Sequence, residues 1–582
     1  MSTPSGLDIE RSSAAYDPEV ATSASSRRLN RRGLERVRWS HDGTHPGSPF
    51  AWKVLRGMLR LSWFTQFRNR EISGAETIDP ERGLVALAWH TAGLVDPMVI
   101  VQSCEKRFIM VGRHDLMTRP IIGRWARSIG SQPVLRQREI DEGTTDADFA
   151  REINHRSLLT VAHTISGGHG CVIMPEGTSQ INPRMMPLRS GPMRIALNAA
   201  AAAQARDRPL PSIRPVGLHF REAWKFRTDC YVEFGQEIPI DDIVDHEVVE
   251  SLLEGEWTEP NFDSVNTLRN RIKESLDILT PDADDWDEFH SWSVISHIEK
   301  DAAKTPHDTW SSEVHGIRNV RDRIRSGKLN SEIMEPASRI QSILKSTSLD
   351  PRSVGAEGVR PPSPTRWFGA IFGLLLMLLS APLAIFTLPQ ALLAWYIGNN
   401  SDEGLDARST FHIMAVTFSP VLIWPYLIFA VSTGFLLIYT ELITWQIITY
   451  SVICCIVMMP FLHISNLIFL RGYDAFFDFF TALSQLRLRR NNTGSKVNTI
   501  DFVTIATTGN ATDFGDTTTV TEGGGACSSL LRGVFAGGSS PSYLNTIAFV
   551  TMETTGNASD FGDLTLARQS NNGTSNGHGG LA

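Results

Sequence analysis

The 582-residue sequence has few cysteines, and they are not arranged for metal binding or for a disulfide framework. It contains no Cys-x-x-Cys pair, and no cysteine is spaced from histidines as in a zinc site. We therefore interpret the cysteines as reduced thiols and predict neither a metal nor any other cofactor. The six are Cys104, Cys171, Cys230, Cys454, Cys455 and Cys527.

The first 46 residues lack the apolar core of a secretory signal peptide. They are polar and Ser-rich, and six arginines lie between positions 27 and 38. We expect residues 1–48 to form a disordered basic tail, either solvated or bound to anionic lipid headgroups. The net charge of the whole chain, −8, gives no reason to predict a nucleic-acid partner.

Charge is nearly absent from residues 367 to 470, so we predict a transmembrane region over 366–472. The stretches 411–438 and 447–470 each exceed the roughly 20 residues that a spanning helix needs. The stretch 367–398 is too long for one straight span and contains Pro382 and Pro389, which favours a broken or re-entrant hairpin. Arginines flank both ends of the region, which predicts an even number of crossings with both ends cytoplasmic.

Short apolar runs alternate with helical patterns between residues 49 and 240. This alternation predicts an α/β domain with a mostly parallel sheet, in which the chemistry gathers at the strand ends. The apolar stripe of the first helix, at 49–67, either lies in a bilayer interface or packs on the domain. Residues 241–365 read as a helical accessory region and a linker. The expected strands are 71–78, 84–88, 107–111, 133–135, 171–174, 213–219 and 231–234.

His90 and Asp96 follow the buried run 84–88, with five residues between them. A histidine titrates near neutrality, and an adjacent carboxylate can fix its tautomer, so the pair is a candidate general base with its orienting group. Alone, such a pair is more often structural. Arg113 and Arg136 follow two later strands, where guanidinium groups could meet a phosphate.

Four blocks, in order, resemble those of the glycerolipid acyltransferase family, nearest the yeast-type glycerol-3-phosphate/dihydroxyacetone-phosphate branch. His90 and Asp96 resemble the first block, and the spacing of five residues, where most members have four, is similar to that branch. The second is similar in Arg113, Leu116, Pro120, Gly123 and Arg136. The third is similar in Pro175, Glu176, Gly177, Thr178, Leu188, Arg189 and Gly191. The fourth is similar in Pro215 and in the run 232–235.

The resemblance implies a membrane-bound enzyme that transfers a fatty acyl group from acyl-CoA or acyl-carrier protein to a glycerol phosphate. His90, oriented by Asp96, would be the general base. The resemblance implies that Glu176, Gly177 and Thr178 hold the glycerol and that Pro215 belongs to the substrate site. Because the arginine common after the third block is Ser179 here, Arg113, Arg136 and Arg189 are the expected phosphate ligands.

The same resemblance implies a catalytic domain on the cytoplasmic face, making lysophosphatidate or phosphatidate. Two alternatives stay open: an acyltransferase that remodels another lysophospholipid, and a catalytically silent membrane scaffold. His163, His169 and Ser166 could form a rival site, but their spacing fits no hydrolase nucleophile turn. A structural role is the better interpretation of these three residues.

The last region, 473–582, contains an internal repeat whose copies begin at Asn498 and Asn545, 47 residues apart. Short β runs with Gly-rich turns at this period resemble Kelch-type propeller blades. Two copies cannot close a propeller. They could be a decayed array, a surface appendage or an oligomerisation element through which the chain self-associates.

Overall fold

The computed structural model describes residues 29–118, 122–135, 140–141, 143–244, 249–400, 405–491, 498–502, 511–529, 531–540, 542–571 and 573. The described residues form two compact units, one up to residue 486 and one from residue 487.

The first unit contains an α/β domain, an accessory helical region and four long apolar helices. Its strands are β1 Phe67–Ser73, β2 Leu84–Ala88, β3 Phe108–Arg113, β4 Gln132–Val134, β5 Gly170–Ile173, β6 Ser212–Phe220, β7 Thr228–Phe234, β8 Val354–Gly355 and β9 Gly358–Val359. The helices of the α/β domain are α1 Arg31–Leu34, α2 Pro49–Gln66, α3 Val95–Ser103, α4 His114–Thr118, α5 Ile122–Ser128, α6 Ala147–Ser166 and α7 Gly191–Gln204. The accessory helices are α8 Val249–Leu253, α9 Phe262–Leu279, α10 Trp286–Ala302, α11 Trp310–Arg325 and α12 Met334–Ser346. The apolar helices are α13 Pro364–Asn400, α14 Leu405–Leu422, α15 Trp424–Tyr439 and α16 Thr444–Asn491.

The seven strands β1 to β7 form one sheet in the order β1-β7-β6-β2-β5-β3-β4. All neighbouring pairs are parallel except β6 and β7, which are antiparallel. Each strand overlaps one predicted from the sequence, and the predicted fold class is confirmed. Five of the strands, β2 to β6, therefore run in the same direction, and their carboxyl ends meet along one edge of the sheet.

Helix α2 packs on the sheet through its apolar stripe. Ser48 caps its first turn and Pro49 occupies the first helical position, where a missing N–H costs nothing. Trp52, Leu59 and Trp63 are buried in the cluster that covers one face of the sheet. Of the two interpretations of this stripe, packing on the domain is therefore the correct one.

Residues 29–48 differ from the predicted disordered tail. Leu34 is fully buried and Val37 nearly so, while Leu29 and Trp39 pack against a small cluster that includes Leu135. Apolar side chains interleaved with the arginines give this segment enough buried surface to fold onto the domain. Arg27 and Arg28 lie outside the described residues.

The accessory helices are joined to the sheet through a buried ionic contact. Arg221, after β6, makes two hydrogen bonds to Glu313 on α11, at 2.9 and 2.7 Å, and its guanidinium lies over the Trp310 ring. Such a planar, two-bond pairing fixes orientation as well as distance. The accessory region is thus part of the same body as the sheet.

Within the described residues, two helices are long and apolar enough to cross a membrane, or three if the bent pair α14 and α15 counts as one. The predicted hairpin within 367–398 is replaced by one helix, α13, with Pro382 and Pro389 inside it. Apolar helices tolerate proline because neighbouring groups satisfy the freed backbone. The predicted span 411–438 is bent by 43° between α14 and α15.

Helix α16 has 48 residues and would be about 72 Å long if straight, more than twice a bilayer core of about 30 Å. Its later part contacts the α/β domain. Asp474 receives two hydrogen bonds from Arg227, and Asp478 receives two from Arg68. This part of α16 therefore belongs beside the sheet.

The second unit contains β10 Thr499–Phe502, β11 Thr512–Asp516, β12 Gly525–Ser528, β13 Arg532–Ala536, β14 Thr546–Thr551 and β15 Ser559–Asp563. The two sequence copies form matching antiparallel hairpins, β10–β11 and β14–β15, each with a register shift after its second residue pair. An edge-on aromatic pair closes each hairpin: Phe502 with Phe514, and Phe549 with Phe561. The Kelch-type interpretation and self-association stay predictions.

Candidate active site

Three strand ends bring the predicted site residues to one edge of the sheet. Strand β2 lies between β6 and β5, and β5 pairs in turn with β3, all in parallel. His90 follows β2, Glu176 follows β5, and Arg113 ends β3. The topology thus brings together residues that lie up to 86 positions apart in sequence.

His90 and Asp96 are in direct contact. The imidazole Nδ1 lies 2.8 Å from Asp96 Oδ2, and the same oxygen accepts the backbone N–H groups of Thr91 and Ala92 at 2.7 and 2.9 Å. The turn between them includes Gly93, whose φ of +55° is readily adopted by glycine. A regular helix would separate the two side chains, and this turn brings them together.

The tautomer of His90 follows from this contact. A carboxylate can only accept, so Nδ1 carries the proton and Nε2 presents a lone pair. Asp96 is fully buried, whereas the His90 side chain keeps 18% of its surface accessible. The imidazole is therefore accessible to a reactant, while the Asp96 carboxylate fixes its orientation through Nδ1.

Glu176 is buried and contacts the polypeptide around His90. Its Oε1 accepts the His90 N–H at 2.8 Å, and its Oε2 accepts Gln180 Nε2 at 2.7 Å and the Met186 N–H at 2.9 Å. Burial raises the pKa of Glu176, although these three donors oppose the rise. Only 1% of the residue is accessible, and all three contacts are with the polypeptide around His90. The role of Glu176 as a glycerol contact stays a prediction.

The next residues on the same turn face outward. Gly177 and Thr178 are exposed, and Arg189 is exposed beside them, with the stem of its side chain against Gly177. The Arg189 N–H also donates to the Pro175 carbonyl at 2.8 Å, which ties the arginine to the turn. A hydroxyl and a guanidinium are therefore available close to the turn that holds His90.

The other predicted substrate residues have different placements. Arg113 is partly buried and makes a two-bond pair with Asp115, with both contacts at 3.0 Å. Pro215 is buried within β6, opposite Leu87 of β2, so it shapes the sheet beside the site. Arg136 lies outside the described residues.

An aromatic pocket adjoins the site, and it was not predicted from the sequence. Trp89 and Thr91, on either side of His90, form one wall, and Trp286, Phe289 and Trp310 of the accessory helices form another. The remaining lining includes residues 218–224, at the end of β6 and after it. The tryptophans are held by backbone carbonyls: the Trp89 ring N–H donates to Leu218 and that of Trp310 to His219. The only sequence signal was a scatter of tryptophans beyond residue 280.

The rival group has structural partners. His163 Nε2 lies 2.9 Å from the Leu252 carbonyl and its Nδ1 lies 2.9 Å from Arg206, while the Ser166 hydroxyl donates to the backbone of His163. Burial and the Arg206 charge lower the pKa of His163 to about 4. These contacts support the structural interpretation.

Among the residues that the structure describes, no group of three or more His, Cys, Asp or Glu could hold a metal ion.

Comparison with known proteins places this site in a family domain. The family model "Acyltransferase" matches residues 69–217. Glycerol-3-phosphate O-acyltransferase 2 of Saccharomyces cerevisiae is 32% identical over 152 residues, which are 25% of this chain and 18% of the yeast protein. The 1-acyl-sn-glycerophosphate (LPA) acyltransferase of Thermotoga maritima, a solved structure, shows 14% identity and a TM-score of 0.25, covering 38% of this chain and 79% of that one.

Residues 69–217 therefore form an acyltransferase domain, and the resemblance to glycerolipid acyltransferases is confirmed for this segment. The matched segment contains His90, Asp96, Arg113, Glu176 and Pro215. The chain spans about a fifth of the length of the yeast relative.

Proposed function

We propose that this protein is a membrane-bound acyltransferase that transfers a fatty acyl group from acyl-CoA or acyl-carrier protein to a hydroxyl of glycerol-3-phosphate or a related glycerol phosphate. The observation that carries the proposal is the His90–Asp96 contact at 2.8 Å, at the strand edge of an acyltransferase-family domain. A buried anion behind an accessible imidazole is the arrangement that general-base catalysis needs.

The reaction proceeds in one ternary complex. His90 Nε2 takes the proton from the acceptor hydroxyl as that oxygen attacks the thioester carbonyl carbon. Asp96 stabilises the imidazolium that forms. The tetrahedral intermediate then collapses, the carbon–sulfur bond breaks, and the imidazolium returns the proton to the leaving thiolate. General-base assistance of this kind contributes about 100- to 10,000-fold.

The acceptor binds on the exposed side of the turn after β5, which contains Gly177 and Thr178. Thr178 offers a hydroxyl to the glycerol, and Arg189 offers a charged fork to the phosphate. Arg113 and Arg136 complete the phosphate site in this proposal. Because Arg113 is paired with Asp115, a phosphate would have to share or replace that carboxylate.

The acyl chain of the donor has an apolar surface close by. Aromatic side chains of the accessory helices line part of the pocket beside Trp89, and in this proposal they form the apolar surface that the acyl chain contacts. The apolar helices support a location in a membrane, where both the donor chain and the lipid product would partition. The cytoplasmic orientation rests on the flanking arginines.

An acceptor panel tests this function. The full-length chain, purified in detergent and returned to lipid vesicles, is offered radiolabelled acyl-CoA with glycerol-3-phosphate, dihydroxyacetone phosphate or lysophosphatidate. We expect label in an acylated glycerol phosphate. Label only with other lysophospholipids would favour the remodelling alternative, and no acyl transfer to any acceptor would favour the silent scaffold.

A further inference from the structure

Helix α14, which lies outside the acyltransferase-family match, contacts the catalytic loop. The backbone N–H of Leu94, within the turn between His90 and Asp96, donates to Thr410 Oγ1 at 3.0 Å. Ile413, one turn later on α14, is buried in the same cluster as Trp89 and Val95. One face of α14 therefore lies directly against the loop.

A second contact on this face lies farther from the loop. The Thr417 hydroxyl lies 2.5 Å from the hydroxyl of Ser62, on α2. Thr410, Ile413 and Thr417 follow the three- and four-residue spacing of one helix face. The face thus has one contact with the loop and one with the rest of the domain. Changing Thr410 or Thr417 alone therefore distinguishes an effect on the loop from an effect on the packing of α14.

The Thr410 contact satisfies a backbone group that needs a partner. Leu94 precedes the first residue of α3, the helix that bears Asp96, and its side chain makes no capping hydrogen bond. The first N–H groups of any helix lack partners within the helix, and they are usually satisfied by a nearby side-chain oxygen. Here that oxygen comes from a helix more than 300 positions away in sequence.

We propose that Thr410 is a positioning residue for acyl transfer: its hydroxyl holds the loop so that Asp96 stays aligned behind His90. This inference rests on the proposed function, since its readout is acyl transfer. It goes beyond that function because it makes α14 a working part of the active site. The substrate does not touch Thr410 in this proposal, so its loss changes kcat and leaves KM for the acceptor as it was.

Three variants of the full-length chain in lipid vesicles test the proposal. Thr410→Val keeps the side-chain shape and removes the acceptor oxygen. Thr410→Ser keeps the oxygen, and Thr417→Val removes the other hydroxyl of the same face. We expect Thr410→Val to lower kcat by roughly tenfold at unchanged acceptor KM, as expected for one lost hydrogen bond to a part-buried N–H. Thr410→Ser should recover most of the loss.

The Thr417→Val control separates a positioning role of Thr410 from a general loss of packing on this face of α14. Thr417→Val should keep kcat within about twofold of the unaltered chain, even if both valine variants lower the melting temperature equally. Equal kcat losses in both valine variants, or an unchanged kcat in Thr410→Val, would overturn the positioning role. Failure of the proposed function itself looks different, because the unaltered chain would then transfer no acyl group to any acceptor.

Discussion

Replacing Glu176 by glutamine should lower the turnover of the enzyme without weakening acceptor binding. The carboxylate accepts three N–H donors, one at Oε1 and two at Oε2. A glutamine has one acceptor oxygen. If that oxygen replaces Oε2, the amide NH₂ faces the N–H of His90, and if it replaces Oε1, two donors lose their partner. The first orientation loses fewer hydrogen bonds, so we expect glutamine to adopt it and to lose the bond to the His90 backbone.

The size of the effect follows from burial. Leaving a buried donor unsatisfied costs about 1–3 kcal/mol, which corresponds to roughly 5- to 150-fold. Since the affected donor belongs to His90, the proposed general base, we expect kcat to fall within this range and KM for the glycerol phosphate to change by less than about twofold.

Steady-state kinetics at varied acceptor concentration measures both quantities. Thr178→Val is the matched comparison, because Thr178 lies on the same turn and faces outward. That variant should raise acceptor KM with a smaller effect on kcat. If Glu176→Gln raised acceptor KM and left kcat intact, Glu176 would be a substrate ligand, and the positioning role argued from its burial would be refuted.

Further predictions concern the acceptor site, the long helix and pH. Arg189→Ala should raise KM for the phosphorylated acceptor about tenfold, as for a lost charged hydrogen bond, and an effect confined to acyl-donor KM would contradict this assignment. Arg227→Ala should lower the melting temperature because it leaves Asp474, whose side chain is 13% accessible, without that partner; a double variant with Asp474→Ala should recover part of the loss. Burial alone would raise the pKa of Glu233, but hydrogen bonds from His219 and Arg318 outweigh it and lower the pKa from 4.5 to about 2. Glu233 therefore stabilises the fold above its unfolded pKa, and this contribution is lost as pH falls from 4.5 towards about 2. Glu233→Gln should flatten the pH dependence of the melting temperature over that interval, and an unchanged pH profile would contradict the assignment.

The sequence was sufficient to predict the sheet and to select His90 and Asp96 as candidate site residues. Buried strands such as β2 consist of short apolar runs, and the family blocks fall at their ends, so both the strands and the location of His90 can be read locally. The contact between His90 and Asp96 could be expected only from the resemblance, because their spacing does not suit a regular helix and the turn at Gly93 is not evident from composition.

The remaining features depend on contacts between distant segments. The burial of Glu176 could not be predicted because burial is a property of the assembled loops, and Pro-Glu-Gly-Thr looks equally polar whether it faces inward or outward. The aromatic pocket needs Trp286 and Trp310 from helices that give no functional signal of their own. The helix through Pro382 also differs from the predicted hairpin, since proline breaks a helix only where its freed backbone groups find no other partner.

The most direct test of the account is acyl transfer by the His90→Ala variant of the full-length chain in lipid vesicles. Labelled acyl-CoA and saturating glycerol-3-phosphate are supplied, and acylated product is measured against the unaltered chain. We predict a loss of about 100- to 10,000-fold in kcat, the contribution of a general base. Product formation at the unaltered rate would contradict the assignment of His90 as the catalytic base.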